Sequence, residues 1–210
     1  MDTFHMKTSL SLPGGALLLA MTSSAFAASS VDLTVKGLIT PSACTPSLPG
    51  DIDYGKIAAK DLNPDSHTWL ERRTLKLSVN CEAATLFAIN PIDNRAGTST
   101  FAVFGLGLIN GSEKLGGYEV SFSNPVADLP STLLTQFEGR AWTVLDPEDS
   151  ALPNQLVALG SRGDNGWAPH PLQDAIVDIS VRAGIAPANT LTLTNEVALD
   201  GSATFEVMYL

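Results

Sequence analysis

Ala203-Thr204-Phe205-Glu206-Val207-Met208-Tyr209-Leu210 places Phe205, Val207 and Tyr209 in alternation with Thr204, Glu206 and Met208. A period of two puts the first three on one face of a β-strand, and Asp200-Gly201 just upstream is a turn signal. Chain ends fray unless docked, so an aromatic-rich terminal strand implies a partner along its edge or over its face.

The same alternation recurs upstream. Val31, Leu33 and Val35 alternate with Asp32, Thr34 and Lys36, which predicts a first strand that kinks at Gly37 before Cys44. Leu75, Leu77, Val79 and Cys81 share one face, as do Ala175, Val177, Ile179 and Val181. Apolar runs over 101–109 and 115–122 flank Asn110-Gly111, the turn chemistry of a β-hairpin. Short strands are expected at 54–57, 86–89, 141–145 and 156–159, the second ending at Asn90-Pro91. Segments 146–154 and 161–171, rich in Asp, Asn, Gly and Pro, read as surface loops, and 129–138 carries no clean period. Many short strands with no sustained helical period predict an all-β, antiparallel β-sandwich.

Lys7 precedes an apolar run from Leu10 to Met21 that ends at Ala25-Phe26-Ala27, the form of a secretory signal over residues 1–27. No later stretch has the roughly 18 apolar residues a membrane helix needs. The expectation is an exported domain over residues 28–210 with no membrane insertion. A hydrophobic content of 44% against 16% charged residues excludes a disordered chain. A net charge of -10 repels phosphate backbones, so nucleic acid is not an expected partner. The two cysteines, Cys44 and Cys81, read in an exported chain as one disulfide.

Phe205, Val207 and the penultimate Tyr209 after Ala203-Thr204 resemble the carboxyl end of chaperone-usher fimbrial subunits, the pilins. Lys36-Gly37-Leu38-Ile39 followed by a cysteine, and a second cysteine ending an alternating strand, occur in that family's order. More narrowly, the ending from Leu199-Asp200-Gly201-Ser202-Ala203 to Tyr209-Leu210 resembles an uncharacterised fimbrial-like group of proteobacterial secreted proteins. The match lies at both ends of the expected mature chain and is slight over 95–185. It implies an immunoglobulin-like, pilin-type sandwich that lacks its last strand, with the cysteines joining its first two strands. It also implies binding by strand addition in the periplasm, fimbrium or cell surface of a Gram-negative bacterium. A periplasmic chaperone, an usher and other fimbrial subunits would be the partners. Phe205, Val207 and Tyr209 would line the edge on which the partner strand registers, and basic chaperone residues would hold the Leu210 carboxylate.

Two departures qualify the role. Only Ala28-Ser29-Ser30 precede Val31, about 10 Å of extended chain, too short to be donated to a neighbour. Val197 stands where the family tends to have glycine. A tip, base or non-polymerising subunit is therefore expected. The alternative is a self-complete secreted sandwich that binds a glycan or surface protein through loops, with Trp167 as the ligand contact.

No catalytic constellation is expected, and no cofactor or metal. After signal removal only His67 and His170 remain, both in polar segments and neither at metal-ligand spacing with other donors. Asp51 with Asp53, and Asp146, Glu148 and Asp149, read as solvated loop charge. Arg162-Gly163-Asp164 reads as a turn. Of the other tryptophans, Trp142 is expected in the core and Trp69 is a further aromatic for stacking.

Overall fold

The computed structural model describes residues 34–36, 43–101 and 103–210. Residues 34–36 fall in the smaller of two units of the chain, Met1–Ile39 and Thr40–Leu210; they are exposed and form no strand. The expected signal, the rest of the first strand and its kink at Gly37 lie outside the described residues.

Within the larger unit the described residues form fourteen strands. The first seven are β1 (Cys44–Ser47), β2 (Thr68–Trp69), β3 (Arg73–Thr85), β4 (Phe87–Asp93), β5 (Phe104–Gly105), β6 (Leu108–Ile109) and β7 (Glu113–Lys114). The others are β8 (Gly116–Ala127), β9 (Thr132–Gln136), β10 (Thr143–Val144), β11 (Leu156–Gly163), β12 (Gly166–Pro169), β13 (Leu172–Ile185) and β14 (Ala203–Tyr209).

One six-stranded sheet runs β1-β3-β13-β8-β5, with β2 added to β13; the other six-stranded sheet runs β10-β9-β11-β4-β14, with β12 added to β11; β6 and β7 pair as a separate two-stranded sheet. The pairings are antiparallel. The period of two explains the packing. Leu77, Val79 and Cys81 of β3 and Val177 and Ile179 of β13 turn inward with Val120 and Phe122 of β8, and they meet Phe87 and Ile89 of β4 and Val157 and Leu159 of β11. Each such buried side chain contributes about 1.5 to 3 kcal/mol. The molecule is an antiparallel β-sandwich with one disulfide, Cys44 to Cys81, directly opposite one another on β1 and β3.

The strand order matches the immunoglobulin arrangement, in which A-B-E-D form one sheet and C-F-G the other. β1, β3, β13 and β8 occupy A, B, E and D, while β4 and β14 occupy C and F. Strands β9–β12 are inserted between D and E and extend the second sheet on the far side of β4. Among the described residues nothing occupies the G position beside β14.

Several expectations need correction. Residues 54–57 form no strand; a single turn of 3-10 helix follows at Ala59–Asp61. β4 continues through Asn90-Pro91 because β11 pairs with it only at Ile89, so the N–H that Pro91 lacks is not needed by a second neighbour. The open stretch 129–138 contains β9, whose Leu133 and Leu134 are both buried on opposite faces. That removes the alternation a half-buried strand would show. The segment 161–171 is largely a β-hairpin, β11 turning into β12. The Asn110-Gly111 turn is as expected, both residues having positive φ of 51° and 82°, but the apolar run before it is split into β5 and β6.

Candidate partner-binding groove

β14 is paired along its full length with β4, from Ala203 opposite Asp93 to Tyr209 opposite Phe87, and among the described residues on that edge only. Successive residues of a strand point to opposite faces. Ala203, Phe205 and Val207 accordingly pack half-buried against the core, while Thr204, Glu206 and Met208 are exposed. The Phe205 ring meets the fully buried Phe122 edge to face, centroids 6.1 Å apart.

A cleft of about 790 Å³ opens beside the first half of β14. Its floor is the inner face of the other sheet, with Leu75 of β3, Val120 of β8 and Ile179 and Val181 of β13. Residues 201–203 and Phe205 form one wall. The rims are two segments without strand structure, residues 48–57 and 193–199, which press Leu48, Tyr54, Ile57, Leu193, Val197 and Leu199 onto the core half-buried. Tyr54 explains why 54–57 is no strand: its hydroxyl donates to Val181 O and accepts from Ala183 N, each at 3.3 Å, so the segment docks by side chains across β13. Burial raises the Tyr54 pKa above its ordinary value. Lys56 Nζ faces Glu196 Oε2 at 3.6 Å from rim to rim, both fully in solvent.

The start of β14 is anchored tightly. Arg95 donates from Nε to Asp200 Oδ2 at 2.9 Å and from Nη2 to Oδ1 at 2.8 Å, and Asp200 N donates to Leu106 O at 3.2 Å. Gly201 then passes so close to Tyr118 that a Cβ would lie 2.9 Å from its ring, which excludes a larger residue. The Arg95 hydrogen bonds, and its charge, hold the Asp200 carboxyl below the ordinary carboxylate range. A depressed carboxylate pKa contributes stability above the unfolded-state pKa and loses it as pH falls through the folded-state value. Stability is therefore expected to drop below about pH 4. In Arg95→Gln, urea unfolding curves at neutral and acid pH should show a smaller drop.

The cleft stops short of the end of β14. The Tyr209 hydroxyl accepts a hydrogen bond from Cys44 N at 3.0 Å, tying β14 to β1 beside the disulfide. Of the four residues expected to form the partner strand, only Phe205 lines the cleft. Val207 shares its face and is half-buried but does not line the cleft, Tyr209 is engaged by β1, and Leu210 donates its N–H to Leu86 O at 3.1 Å. In Tyr209→Phe the Cys44 amide loses this acceptor. A net hydrogen bond of about 1 kcal/mol predicts roughly fivefold faster hydrogen exchange at Cys44.

The remaining candidates lie apart from the cleft. Trp167 is half-buried on β12 opposite Arg162, and Arg162-Gly163-Asp164 is exposed at that hairpin. Trp142 is half-buried next to β10, not in the core. Trp69, 38% exposed, lies over Gly184 with the Arg182 guanidinium 5.0 Å from its ring. His67 bonds Thr100 at 2.9 Å, and His170 sits between Ser131 at 2.9 Å and Ser161 at 3.3 Å, so both rings face hydroxyls. Asp53 accepts from Gly55 N and Asp146 from Glu148 N, the bonds of loop turns. Among the described residues no three His, Cys, Asp or Glu converge as a metal site. Sequence reasoning missed both rims; the signal available was isolated large apolar residues within Pro- and Asp-rich connections, such as Leu48, Ile57 and Leu193.

Residues 33–104 match the family described as "Protein of unknown function (DUF1120)". The chain is 27% identical over 238 aligned residues to "Uncharacterized protein YhcF" of Escherichia coli (strain K12), covering 95% of this chain and 98% of that protein. It is 24% identical over 251 aligned residues to "Protein GltF" of the same organism, with the same coverage. The chain is thus similar over nearly its whole length to two proteobacterial proteins, and neither name states a fimbrial role.

Proposed function

We propose that this chain is an exported, fimbrial-like structural or adhesive protein that binds partners by accepting an extended strand beside β14, without catalysis. The observation that supports the reading is that, among the described residues, no strand pairs with the outer edge of β14, beside a half-sealed core where Phe205 borders an apolar cleft. An incoming strand would pair its backbone with β14 and bury alternate side chains on Leu75, Val120 and Ile179. Burying three such side chains contributes on the order of 5 kcal/mol or more, offset by about 2 kcal/mol or more for ordering the segment. A tip, base or non-polymerising subunit suits this reading, with a periplasmic chaperone, an usher and neighbouring subunits as partners.

A second reading is favoured by one observation. The Tyr209 to Cys44 bond and the docked rims close part of the opening, as in a domain that completes itself and binds a glycan or surface protein through its loops. Residues 28–210 expressed in an oxidising periplasm without a partner separate the two. Strand addition predicts low monomer yield and an unfolding temperature raised by a peptide of alternating apolar residues. A cooperative monomer indifferent to that peptide would overturn it in favour of the self-complete domain.

A further inference from the structure

Granted that the cleft beside β14 takes a strand, we infer that the strand it takes is amphipathic and basic: apolar side chains inward, lysine or arginine on the outward positions. Three features set this requirement. The floor and wall of the cleft are apolar, so every second side chain of the incoming strand must be apolar. The rims are acidic: of the charged residues that line the mouth, Lys56 and Glu196 pair with one another, which leaves the carboxylates of Asp51 and Asp53. Finally, the outward neighbours on β14 are Thr204, Glu206 and Met208, so the outward side chains of a strand paired with β14 lie beside Glu206. Opposite charges across a strand pair attract, and like charges directly opposite destabilise.

The rest of the molecule reinforces this bias. A net charge of -10 repels an acidic donor at long range and draws in a basic one. It also counts against a second copy of this chain as the donor. The partner is thus a segment of another protein, extended, alternating, and positively charged on the face it leaves in water. The charge chiefly accelerates encounter, whereas the apolar face sets how long the strand stays.

The test uses residues 28–210 and three peptides of one length with an identical apolar face, carrying Lys, Ser or Glu at the outward positions. Association is followed by stopped-flow fluorescence at low and high salt. The Lys peptide is expected to associate at least about tenfold faster than the Glu peptide at low ionic strength, with the gap closing at high salt. The Asp51→Asn, Asp53→Asn, Glu206→Gln triple variant keeps the oxygen acceptors of these exposed side chains and should narrow the gap between the Lys and Glu peptides severalfold, the net charge of the rest of the chain maintaining a smaller preference. Equal association of all three peptides would overturn the charge requirement and leave strand addition standing. Failure of every peptide to bind would overturn strand addition itself. Concentration-dependent self-association that competes with the Lys peptide would instead make a second copy the occupant.

Discussion

Replacing both Cys44 and Cys81 by serine is expected to cost the domain about 4 kcal/mol, the chain-entropy value for a loop closed across 37 positions. For a domain of this size that lowers the unfolding temperature by about 10 °C. The effect should exceed that of any single hydrogen bond because the bridge is the main tie on β1. That strand has only four residues, three of them exposed, and among the described residues it pairs with β3 alone. Its other link is the Cys44 amide on Tyr209. Loss of the bridge should therefore loosen the closed end of the cleft as well as destabilise the whole. Equilibrium urea unfolding of the double variant checks the first consequence, and hydrogen exchange along β14 checks the second. Adding a reductant to the unmodified protein should reproduce both.

Phe122→Ala is expected to destabilise by about 4 kcal/mol, in line with removal of a fully buried phenylalanine. Phe205→Ala should cost roughly half as much, since only part of that ring is withdrawn from water. The two rings touch, so the double variant should cost less than the sum by about 1 kcal/mol. The informative comparison adds a strand peptide. If the peptide pairs along β14 as proposed, Phe205 should become nearly as buried as Phe122, and the two truncations should then cost nearly the same. If the cost of Phe205→Ala stayed unchanged in saturating peptide, the peptide would not be lying over that side chain.

The strands that a reader could find in the sequence are those with one buried face. β3, β13 and β14 alternate over residues 74–82, 175–180 and 203–208, because there each has the core on one side and water on the other. β9 was hidden because Leu133 and Leu134 are buried on both faces. The first half of β11 is legible at residues 156–159, but the rest of the β11–β12 hairpin reads as loop because the Gly163-Asp164-Asn165-Gly166 turn outweighs the short flanking strands. The cleft was legible only in part. Alternation in β14 pointed to Phe205 as facing the core, but nothing local to Tyr209 signals that its hydroxyl meets an amide 165 positions away. The rims were equally out of reach, since Tyr54 and Val197 acquire their roles from β13 and the core, not from their neighbours in sequence.

The pairing of early strands with late ones also has a cost in time. Leu77 of β3 finds Val177, and Ile89 of β4 finds Val207, so both sheets are completed by strands from the last third of the sequence. Contacts this distant along the chain place such a fold among the slow folders, from milliseconds to seconds. A chain made from its amino end presents β3 and β4 first, each with a bare edge while it waits. β14 is the last strand to arrive, and among the described residues it pairs on one side only, as the edge strands β1, β5 and β10 also do.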